Sequence, residues 1–152
     1  MRTRFRSVSA GSVAVLLGLA IVTAGCGKLS FSTLAGRKAI KEAHEFYKAS
    51  RWKDAADRYE VAVNSDPTLE GAHFFLANSY DNLYKPSRAG EPENDAYMQK
   101  AIEWYKKAAE KEPDPIYRQR AMQYLVAAYG PDKLNQPAEA EPIVKKMIEM
   151  DP

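Results

Sequence analysis

Cysteine is nearly missing from this chain, whose 152 residues hold one, Cys26. A lone thiol closes no intramolecular disulfide and builds no cysteine-based zinc cage. Histidine is almost as scarce, with only His44 and His73. His44 is followed by Glu45, but four residues on stands Lys48, so the helical His-Glu-x-x-His zinc motif is missing and no metal site is expected. A Gly-x-Ser-x-Gly nucleophile elbow does not occur, and Gly25-Cys26-Gly27-Lys28 lacks the spacing of a phosphate-binding loop. With no convergent nucleophile, base and stabiliser in view, neither an enzyme nor a bound cofactor is expected.

Strong charge of one sign is also lacking. The formal net charge is +2, but Arg2, Arg4 and Arg6 stand before Cys26 and no acidic residue does. Without residues 1–25 the chain keeps 19 basic against 20 acidic side chains, a net of −1. Such a domain has no summed positive field to release counterions from a polyanion, so no nucleic-acid partner is expected.

What is present begins with a leader. The three arginines precede nineteen uncharged residues, 7–25, which contain an apolar run over 13–22. A short run behind arginines reads as the core of an export signal. An uncharged stretch of this length also approaches membrane-spanning length, so an uncleaved N-terminal membrane helix is the alternative. The run closes on the small residues Thr23-Ala24-Gly25 immediately before Cys26. This arrangement resembles the bacterial lipobox, departing from it at Thr23, where the family has a larger aliphatic residue. The resemblance implies that residues 1–25 are a signal peptide, that the sulfur of Cys26 is lipidated, and that acyl chains anchor the protein in a membrane. Gly27, rather than aspartate, after the cysteine implies the periplasmic face of the outer membrane. Residues 26–35, with Ser30, Ser32 and Thr33, read as a tether.

The remaining residues, 36–152, repeat. Helical segments end three times on an acidic residue and proline, at Asp66-Pro67, Glu112-Pro113 and Asp151-Pro152. Counting back from each proline gives one frame, filled by Ala55, Tyr59 and Ala62, then Ala101, Tyr105 and Ala108, then Ala140, Val144 and Met147. Steps of four and three place each trio on a single helical face. A second apolar stripe precedes each trio: Ala39, Ala43, Phe46; His73, Leu76, Ala77, Tyr80; Met122, Leu125, Val126, Tyr129. Pairs of helices at this period resemble the tetratricopeptide repeat, through Leu76, Ala77, Tyr80, Ala101, Tyr105, Ala108 and Pro113 above all. The fold expected is all-α, a short solenoid of about three helix-turn-helix units over 36–69, 70–115 and 116–152. The second unit carries about twelve extra residues, with turn formers and charge over 85–94. They read as a surface insertion, with Asn94 capping a helix that runs to about Glu110.

The resemblance further implies that the first helix of each unit lines an inner concave face. Arg37, Ile40, His44, Tyr47, Phe74, Asn78, Asp81, Arg120 and Gln123 fall there, a strip suited to an extended peptide or a partner helix. No helix follows the third unit in the sequence, so Ile143, Met147, Ile148 and Met150 are candidates for exposure and for self-association, since each repeat leaves an apolar face for its neighbour. The expected function is a membrane-tethered adaptor that holds a protein partner in the cell envelope. The alternative is a self-associating structural repeat protein with an uncleaved N-terminal membrane helix.

Overall fold

The computed structural model describes residues 31–150. The chain divides into two units, Met1–Phe31 and Ser32–Pro152, and all the described residues but Phe31 belong to the second. The leader, Cys26, residues 27–30 and the final Asp151-Pro152 lie outside the described residues.

Six α-helices and no strand occur among the described residues: α1 (Phe31–Lys48), α2 (Trp52–Ser65), α3 (Ala72–Leu83), α4 (Pro92–Lys111), α5 (Pro115–Tyr129) and α6 (Pro137–Met150). A single 3₁₀ turn, Pro86–Arg88, stands between α3 and α4. Proline marks the starts: Pro92 and Pro115 occupy the first turns of α4 and α5, where the missing N–H costs no intrahelical bond. At α5 the Asp114 carboxylate accepts the Ile116 N–H at 2.7 Å and caps the helix. α1 begins at Phe31 and not at 36, so residues 31–35 are helix where a tether was expected. Adding a turn to a formed helix is far easier than nucleating one, and the interface of Gly36, Ala39 and Ala43, all buried, supplies the formed part.

Small residues allow α1 to lie close on α2. A Cβ placed on Gly36 would stand 3.2 Å from the Asp66 Cβ and 3.3 Å from that of Ser65. Beyond this pair, α2 packs on α3, α3 on α4, α4 on α5 and α5 on α6, and α3 also meets α5. The trios Ala55, Tyr59, Ala62 and Ala101, Tyr105, Ala108 are fully enclosed. α3 is the centre of the molecule: every residue from Ala72 to Asp81 except Phe75 is buried. Leu76, with no exposed surface, contributes about 1.5–3 kcal/mol by burial.

The third trio behaves differently. Ala140 and Ile143 of α6 pack against the core, while Val144 is exposed and no residue of α6 is buried. The inward face of α6 therefore steps by three from Ala140, where a step of four was expected. Among the described residues α6 packs chiefly on α5, with Pro142, Ile143 and Lys146 also bordering Lys106, Ala109 and Glu110 of α4.

The start of α3 is fastened to the residue that follows α4. Glu112, 1 % exposed, accepts the N–H groups of Gly71 and His73 at 2.8 Å and of Phe74 at 3.2 Å. Its carboxylate thus satisfies the orphan donors at the start of α3 and meets the positive end of the helix dipole. Gly71, at φ +74°, is left-handed, and a Cβ there would press on the ring edges of Phe75 and Tyr117 at 3.1–3.2 Å.

Candidate functional site

α1, α3 and α5 share one face of the array, and aromatic rings cover the seams between them. Phe75 of α3 meets His44 and Tyr47 of α1 edge-on, with centroids 5.2 and 5.1 Å apart, and meets Tyr117 of α5 at 5.5 Å. Tyr124 of α5 stands over Phe74 and Tyr105, each at 5.5 Å. Trp52, the first residue of α2, closes one end with its ring edge-on to Tyr47 at 5.1 Å. Edge-to-face pairs of this kind fix ring positions and add about 0.5–1.5 kcal/mol each beyond burial.

Beside the rings lies a cavity of about 350 Å³, lined by Tyr47, Trp52, Asn78, Asp81, Asn82, Tyr124 and Lys133. Its floor is a chain of hydrogen bonds. The Tyr47 hydroxyl donates to Asn78 Oδ1 at 2.6 Å, Asn78 Nδ2 donates to the Tyr105 oxygen at 2.9 Å, and the Tyr105 hydroxyl donates to Asp81 Oδ2 at 3.3 Å. Asn82 Nδ2 donates to the Asn78 carbonyl at 2.8 Å and to its Oδ1 at 3.0 Å. Lys133, which follows α5, pairs with the other oxygen of Asp81. Burial, followed by the nearby Asp81 carboxylate, holds the Tyr105 phenol well above its usual range, so it remains a donor. Burial raises Tyr47 likewise.

The nine residues placed on this face from the sequence separate into layers. Arg37, Arg120 and Gln123 are exposed; Ile40, His44 and Tyr47 are half-buried; Phe74, Asn78 and Asp81 are buried. Phe74 is thus not open to a partner: it lies beneath Tyr117 and Tyr124, at 5.5 Å from each. Asn78 and Asp81 form the floor of the cavity, the first with its amide committed inside the protein. His44 Nδ1 stands 2.7 Å from the Ile40 carbonyl oxygen. Arg37 is one of the charges that lower the Asp66 carboxyl, after the side-chain and backbone hydrogen bonds from Thr68. His73 is enclosed, its Nδ1 3.4 Å from Glu112.

Sequence reasoning passed over Phe75, Tyr117, Tyr124, Asn82 and Lys133. The spacing of Phe75 and Asn82, seven apart like Tyr117 and Tyr124, puts each pair on one face two turns apart and is the signal that would have found them. Lys133 sits between helices, where no periodicity exists to place it. Arg120 extends the face as a cation 5.9 Å from the Tyr117 ring.

Among the described residues no group of three His, Cys, Asp or Glu side chains is placed to hold a metal ion, and no helix is long and apolar enough to cross a membrane. No protein-family model matches the chain, and a search of curated proteins found no match.

Proposed function

We propose that the protein is an adaptor of the bacterial cell envelope, a short tetratricopeptide-type array tethered by lipid on Cys26, whose α1–α3–α5 face binds an extended segment of a partner protein. The observation that carries this reading is the build of that face: aromatic rings fixed edge-to-face, over a cavity whose polar floor is already organised by the Tyr47–Asn78–Tyr105–Asp81 chain. Rigid rings beside prearranged polar groups reduce the ordering cost of binding. Consecutive helix packing, with α3 meeting α5, supports the repeat architecture, and the enclosed alanine-tyrosine-alanine trios supply its two best-formed units.

The test is in-cell crosslinking followed by recovery of the full-length protein, comparing wild type with Tyr124→Ala and with Arg120→Glu. Tyr124 is 40 % exposed and Arg120 is exposed, so both substitutions alter the face; Tyr124→Ala also uncovers Tyr105, whereas Arg120→Glu leaves the rings over the trios in place. The expected result is loss of a specific partner from both variants at unchanged helix content. Equal recovery from all three proteins ends the reading.

Self-association is the second reading, and a different surface favours it. Between α5 and α6 runs a groove of about 750 Å³ whose lining includes Ile116, Met122, Val126, Val144, Met147 and Ile148.

A further inference from the structure

Charge is distributed unevenly along the mature chain. Residues 27–41 contain Lys28, Arg37, Lys38 and Lys41 and no acidic residue, whereas all 20 acidic residues follow, beginning at Glu42, against 15 basic ones. The basic end is also the end beside Cys26. On α1, positions 31, 34, 38 and 41 follow one another at three-, four- and three-residue steps and so share a face. Phe31 is 93 % exposed and Leu34 52 %, while Lys38 and Lys41 are exposed one and two turns further along. Lys38 makes only a loose pair with Glu42, at 3.8 Å, a contact of little worth at such exposure. Glu42 also faces Arg58 at 3.4 Å.

We infer that this stripe is a docking surface for an anionic phospholipid bilayer, with the Phe31 and Leu34 side chains entering the headgroup boundary and Lys38 and Lys41 over the lipid phosphates. The inference rests on the tether proposed above. Phe31 stands five steps along the chain from Cys26, and an extended chain of that length reaches no further than about 17 Å, so an anchored sulfur brings the stripe to the bilayer surface. Large apolar groups beside lysines suit that boundary: the phenyl and isobutyl groups bury while the ammonium groups remain among the phosphates. Each lysine near an anionic surface strengthens partitioning roughly fivefold, an effect that salt screens. With α1 held in this way the array takes one orientation on the membrane instead of swinging freely on its tether.

The experiment uses the full acylated chain carrying Leu34→Trp, reconstituted in vesicles whose acyl chains bear a bromine quencher. One set of vesicles is phosphatidylethanolamine alone, and the other contains phosphatidylglycerol as well. Unsubstituted chain provides the background from Trp52 and Trp104. The introduced indole is expected to be quenched in the anionic vesicles, and the quenching to be lost at high salt and in Lys38→Glu/Lys41→Glu. Equal quenching in neutral vesicles, indifference to charge reversal, or no quenching in either set overturns the inference. Acyl labelling of the same preparation keeps the two readings apart. A chain without lipid on Cys26 sinks the tether, whereas an acylated chain whose indole ignores lipid charge sinks the stripe alone.

Discussion

Two enclosed tyrosines, alike in the repeat frame, have opposite relations to their own hydroxyls. Tyr59 has a buried hydroxyl with no hydrogen-bond partner among the described residues, whereas that of Tyr105 joins Asn78 to Asp81. An unpaired buried polar group destabilises, while a paired one leaves its partners stranded when removed. Tyr59→Phe is therefore expected to be neutral or stabilising by up to about 1 kcal/mol, and Tyr105→Phe to cost about 1–3 kcal/mol; urea unfolding of the two variants checks the contrast. The same phenols make the fold sensitive to alkali. Burial, then the hydrogen bond to Glu60, pushes Tyr80 up to about 12, and burial raises Tyr59 and Tyr105 as well. A phenol whose folded pKa lies above its unfolded value near 10 keeps its stabilising contribution below pH 10, and that contribution falls as pH rises toward and through about 12. Melting temperature should accordingly decline above pH 10, with phenolate absorbance of the buried tyrosines appearing together with unfolding. Ionisation of every tyrosine at its ordinary pH in a fully helical protein would contradict this.

At the scale of elements, the apolar periodicity carried most of the information. The enclosed faces of α2 and α4 repeat at steps of four and three, and those residues are the ones without exposed surface. What periodicity does not describe is chain between helices, and the insertion shows why. Asn94 was expected to cap α4, but α4 begins at Pro92, and Asn94, buried, turns outward from the first turn to hold the loop instead. Its Oδ1 accepts the Lys85 N–H at 2.8 Å, and its Nδ2 donates to the carbonyls of Lys85 and Arg88 at 3.0 Å. Asp95 accepts the Gly90 N–H through both oxygens at 3.1 Å, where φ is +94°. A composition rich in turn formers marks a loop, yet only tertiary placement shows that the loop is clamped. Asn94→Ala removes three bonds at once. It is expected to cost about 2 kcal/mol and to raise amide exchange at Lys85 while leaving exchange in α3 near its wild-type rate. Unchanged exchange at Lys85 would mean that the clamp is not what orders the insertion.

For the whole molecule, the limits of sequence reading lie at two surfaces that no helix among the described residues covers. On the α1–α3–α5 face, first-helix positions were identified but depth was not, because depth depends on how far neighbouring rings reach: Phe74 lies under Tyr117 and Tyr124 of α5, 43 and 50 residues later. At α6 the exposed apolar character was legible in part: Ile148 and Met150 are exposed, whereas Ile143 and Met147 are half-buried. The consequence is a measurable one. Val144, Ile148 and Ile116 reach solvent around a single groove, and exposed apolar patches mark sites of association with protein, membrane or ligand; under self-association, proposed above, the occupant is a second copy. The wild-type protein is expected to sediment faster as its concentration rises. Ile148→Glu sets a charge in the groove at a position that is 61 % exposed, so it should make sedimentation independent of concentration while shifting stability by no more than about 0.5 kcal/mol. Because neither Tyr124 nor Arg120 lines the groove that holds Ile148, partner recovery through the α1–α3–α5 face should survive the change. A wild type that stays monomeric throughout the range removes self-association and leaves the groove to a partner helix.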